Sequence, residues 1–103
     1  MSVSKEAPID ALKQAVEGLH GCRATFREVA RVVETFRGQL VWSGEVHVFD
    51  LAGHPRARIA YAWSHDVDGS DRRRFVAVLH EGKIDSPLAA VRAAIVQEHR
   101  EKA

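Results

Sequence analysis

Between Leu40 and His65 the chain reads LVWSGEVHVFDLAGHPRARIAYAWSH, two runs of alternating side chains separated by turn formers. Strand side chains point to opposite faces with a period of two, so only certain registers keep an apolar set together. Closing the chain at Ala52-Gly53-His54-Pro55, with Leu51 opposite Arg56, predicts a β-hairpin. Val48 then faces Ile59, Val46 faces Tyr61 and Gly44 faces Trp63 on one side. Phe49 with Arg58, His47 with Ala60, and Glu45 with Ala62 occupy the other.

The flanking segments extend this hairpin into a small α+β fold. Residues 1–7 read as a disordered tail, and a helix is expected from Pro8, where a missing N–H costs nothing. Ile9, Leu12, Val16 and Leu19 recur at helical spacing, and Gly21 supplies a left-handed stop. Residues 22–36, CRATFREVARVVETF, fit either period. Phe26, Val29, Val33 and Phe36 share a helical face, while Cys22, Ala24, Phe26, Ala30, Val32 and Phe36 share one face of a strand, for which a bulge near Val29 is allowed. The β-branched residues and the Arg37-Gly38-Gln39 turn favour a strand. Phe75 to His80, FVAVLH, is apolar on both faces, as in a strand covered on both sides. Ser86-Pro87 then marks a helix start, with Leu88, Val91, Ala94, Ile95 and Glu98 inward. The predicted order is N-terminal helix, four-stranded antiparallel meander, C-terminal helix, in a single domain over residues 1–103. Both helices are expected on one face of the sheet, leaving the other open.

Composition narrows the function classes. Fifteen Lys and Arg against fourteen Asp and Glu give a net charge of +1, too even for a surface built to track phosphates. The single cysteine, Cys22, excludes an internal disulfide and suits a reducing cytoplasm. No window reaches the ~20 apolar residues of a membrane helix, and the first residues lack an apolar signal core.

Chemistry-bearing residues are few. The expected open face carries Glu45, His47 and Arg58. A carboxylate two positions from an imidazole could orient it as an acid/base, with Arg58 gripping an anion and His80 contributing from the last strand. Ala60 and Ala62 would leave room there, and an ordinary solvated sheet face explains the same residues. The six histidines show no HxH, HExxH or related spacing, so no metal is expected, and no cofactor motif is present. Asp66 to Asp71 resembles the opening of a calcium loop, but Arg72, Arg73 and Arg74 follow where a carboxylate is needed. Those three arginines are the best anchor for nucleic acid, yet the predicted register places Tyr61 and Trp63 in the core rather than on bases. Cys22 near His20 lacks a third partner for thiol catalysis.

The string VWSGEVHVFDLAGHPRARIAYAW, followed by FVAVLH and SPLAAVRAAI, resembles a family of short bacterial proteins without an assigned function. The resemblance implies a small bacterial cytoplasmic domain and brings no catalytic residues with it. Together these readings point away from an enzyme. They predict a module that self-associates as a homodimer, or binds a protein partner, through Val41, Phe49, Ala60 and Ala62 of the open face.

Overall fold

The computed structural model describes residues 9–66 and 73–102. Its elements are α1 (Ile9–His20), β1 (Arg23–Phe36), β2 (Gln39–Ala52), β3 (Ile59–Asp66), β4 (Arg73–Leu79) and α2 (Pro87–Lys102). The four strands form one antiparallel sheet in the order β1-β2-β3-β4. Arg23–Phe36 is therefore strand, as the turn that follows it demands. Arg37 and Gly38 both take positive φ, 52° and 78°, the conformation a two-residue hairpin loop needs to match strand twist. The expected bulge near Val29 lies slightly earlier, where Arg27 is passed over between Phe26↔Phe49 and Glu28↔Val48. Residues 1–8, including the tail and Pro8, fall outside the described residues.

The central hairpin pairs two residues out of the predicted register. Val48 faces Tyr61, Phe49 faces Ala60 and His47 faces Ala62, in place of Ile59, Arg58 and Ala60. A shift of two leaves every side chain on its predicted face. The cause is a wider loop: His54 Nδ1 accepts from the N–H groups of Arg56 and Ala57. This local turn delays the return strand until the Leu51 N–H reaches the Arg58 carbonyl at 2.7 Å. Beyond His47 and Ala62 the two strands part, so β2 residues 39–46 pair with β1 alone. The β1–β2 hairpin leaves the sheet as a two-stranded ribbon.

Contrary to the expectation of two helices on one face, the helices cover opposite faces. Leu12 and Val16 of α1 pack on Ala24, Phe49, Ala60 and Ala62. Ala90 and Val91 of α2 pack on Val32, Val46, Val48, Tyr61 and Trp63. Strand segments 46–49 and 60–63 are buried on both faces, so one helical layer could not have desolvated them. The α1 stripe is also narrower than its spacing suggests. Leu12 and Val16 are buried, whereas Ile9 and Leu19 remain exposed.

Both helix ends follow their local signals. Gly21 has φ 63°, and its N–H bonds the Glu17 carbonyl at 2.9 Å, closing α1 with a left-handed cap. At α2, Ser86 Oγ accepts from the Ala89 N–H at 3.1 Å, which satisfies one of the unpaired donors of the first turn. Further along α2, the Arg92 guanidinium grips the Glu34 carboxylate of β1 and ties the helix to the ribbon.

Candidate interaction surface

The ribbon has one covered and one uncovered face. On one side Trp42, Val46 and Val32 meet α2. On the other, strand alternation places Phe26, Val29, Arg31 and Val33 of β1 beside His47, Glu45 and Ser43 of β2. Phe26, Val29 and Val33 are 37%, 40% and 54% exposed. Val41, expected at an interface, is also exposed, at an irregularity between the pairs Glu34↔Trp42 and Thr35↔Leu40. At the turn, Phe36 and Leu40 add further exposed apolar surface.

The remaining predicted interface residues are core. Phe49, Ala60 and Ala62 are fully buried beneath α1, so no partner reaches them in the folded chain. The expected open face thus survives only as its outer half, beyond the reach of α1. Sequence spacing located the hydrophobic positions but could not show which helix would lie over them.

His47 marks the border between the covered and uncovered halves. It is 7% exposed, its ring lies 5.8 Å from that of Phe26, and its Nδ1 is buried without a hydrogen-bond partner. Burial holds the imidazole below the ordinary histidine range, and the Glu45 charge offsets part of that effect. Glu45 and His47 therefore interact. Arg58 does not join them: it lies opposite Leu51, four residues from Ala62, roughly 13 Å along the strand at ~3.3 Å per residue. His80 is remote as well, since its Nδ1 and the Tyr61 hydroxyl share a 2.6 Å hydrogen bond on the face covered by α2.

The other predicted sites are dispersed. Arg73 donates to Ser64 Oγ from Nε and Nη2, at 3.2 and 2.9 Å, and Arg74 lies 3.9 Å from Glu98. Arg72 and the segment 67–71 lie outside the described residues. Among the described residues no three His, Cys, Asp or Glu side chains gather as a metal would need. No described helix is long and apolar enough to cross a membrane. The Cys22 thiol is pushed up by burial first and by the Glu17 carboxylate second, the opposite of an activated nucleophile.

Sequence reasoning missed one feature altogether. A cleft of about 500 Å³ runs between α2 and strands β3 and β4, floored by Trp63, Val76 and Val78 and walled by Val91, Ala94 and Ile95. The only sequence signal for it is the double apolarity of β4, which demanded cover without showing how complete that cover would be. No protein-family model, curated protein or solved structure matches the chain.

Proposed function

We propose that this protein is a non-enzymatic interaction module that pairs with a second copy of itself through the uncovered face of the β1–β2 ribbon. The observation that carries this reading is the row of Phe26, Val29 and Val33, exposed on a ladder whose reverse side is buried under α2. Single exposed hydrophobics are common on soluble proteins; an aligned set on a projecting ribbon marks an interaction site.

Charge favours a second copy over an acidic or basic partner. Arg31 and Glu45 are cross-strand neighbours on this face, so the patch presents one charge of each sign. In a two-fold contact the same surface meets itself, and Arg31 of one copy is set against Glu45 of the other. A reducing cytoplasm is part of this reading, because the lone Cys22 leaves no internal disulfide to form.

Light scattering across a hundredfold concentration range tests the proposal. A dimer is expected that survives high salt, because apolar burial drives it, and that Val33→Glu converts to monomer. Val96→Glu, on an exposed position of α2, should leave the dimer intact. A monomer at every concentration, or a dimer indifferent to Val33→Glu, would overturn the reading.

A further inference from the structure

We propose that the cleft between α2 and strands β3 and β4 binds a small, neutral, ring-bearing apolar molecule. Protein interiors are close-packed, and voids much larger than a water molecule are few. An opening of about 500 Å³ whose floor and walls are mainly indole and aliphatic, with polar and charged side chains also lining it, falls instead within the size range of small-molecule sites. Its origin lies in α2, where Ala93 and Ala94 face the cleft and are too short to reach the floor. Val76 and Val78 are only partly buried as a result.

Size decides between a molecule and a macromolecule. An α-helix with its side chains is ~10–12 Å across, so this volume holds little more than one helical turn. That size suits a compact organic molecule better than a docking peptide. Ring character follows from the aromatic end of the cleft. Trp42 and Trp63 line it with centroids 5.7 Å apart and planes at 71°; Trp63 itself is buried, and the half-buried Trp42 keeps indole surface to receive a further ring.

Neutrality follows from the rim. Arg74, Glu98 and Glu81 line the opening; Arg74 and Glu98 lie 3.9 Å from each other and Glu81 lies 3.8 Å from Arg56, so each already has its counter-charge. A charged ligand would lose hydration on entering without gaining an uncompensated partner. The site lies on the face opposite Val29 and Val33 and does not depend on the self-association reading.

N-phenylnaphthylamine, a neutral apolar fluorophore, is the probe. Titration into the full chain should give saturable one-to-one binding with energy transfer from the tryptophans. Ala94→Leu, which fills the cleft, should weaken binding by at least about tenfold, as should replacing the probe by its sulfonated, anionic analogue. Methyl NMR on the wild-type protein gives an answer even if that variant fails to fold: Val76, Val78, Val91 and Ile95 should shift, and Val29, Val33 and Val41 should not. Absence of saturable binding, or shifts confined to the ribbon, would overturn the site. Equal affinity for the anionic analogue would overturn the assignment of a neutral ligand.

Discussion

Gly44 lies beneath the indole of Trp42, two residues earlier on the same strand: a Cβ built on Gly44 would stand 3.2 Å from the ring's Cη2. The missing side chain lets the indole lie flat along β2 and meet Trp63 edge-on. Glycine inside a strand is weakening by itself, and here a close approach explains it.

Gly44→Val should therefore destabilise the protein by about 1–3 kcal/mol, the usual range for overpacking. The ring cannot simply retreat, because Trp63 is packed against it. Urea unfolding followed by tryptophan fluorescence measures the effect. An unchanged or raised midpoint would show that the indole is free to move.

Below neutral pH, stability should fall because of His47. Its folded-state imidazole titrates below the ordinary value of 6.5, so the unfolded chain binds the proton first. The neutral-histidine contribution is fully present above pH 6.5 and is lost as pH falls below that value toward the folded-state pKa. His47→Leu should flatten this part of the profile. It also removes the unpartnered Nδ1, so at pH 7 it should be neutral or stabilising by about 1 kcal/mol. Thermal melts of both proteins between pH 5 and 8 decide, and superimposable pH slopes would contradict the argument.

The Arg92 guanidinium beside Glu34 holds that carboxyl below its ordinary value of 4.5, chiefly through its hydrogen bonds. A depressed carboxylate stabilises the fold above its unfolded-state pKa, and that stability disappears as pH falls through the folded value. In Arg92→Ala the Glu34 titration seen by NMR should move back up. Amide exchange in the first two turns of α2 should quicken at the same time, since the pair joins helix to ribbon. Unchanged exchange would mean that apolar packing alone seats the helix.

Cys22 should alkylate slowly. Its thiol is raised by burial and by Glu17, whose Oε2 also accepts from the Ala24 N–H at 3.0 Å. The rate with iodoacetamide at pH 8 should lie below that of an unstructured cysteine peptide, and Glu17→Gln should increase it. A wild-type rate equal to the peptide's would contradict this placement.

Local signals were legible wherever the physics is local. The Arg37-Gly38 turn, the Gly21 stop, the Ser86 cap and the alternation of β2 and β3 depend on a few neighbouring residues, and each reads directly from the chain. Even the misplaced hairpin register kept every side chain on its predicted face, because period two survives a shift of two. Candidate chemistry was less legible. Glu45 and His47 share a strand and do interact, but Arg58 entered the predicted site only through a loop drawn too tight at His54.

What tertiary structure alone decided is cover. The apolarity of Phe49, Ala60 and Ala62 is plain in the sequence, yet α1 lies over them while Val29 and Val33 stay in water. Helix direction, and the length by which the ribbon outruns the helix, set that difference. The same holds for the cleft, which exists because Ala93 and Ala94 face Val76 and Val78 across a gap. A sequence records which side chains avoid water; the distance between two packed layers determines how far they succeed.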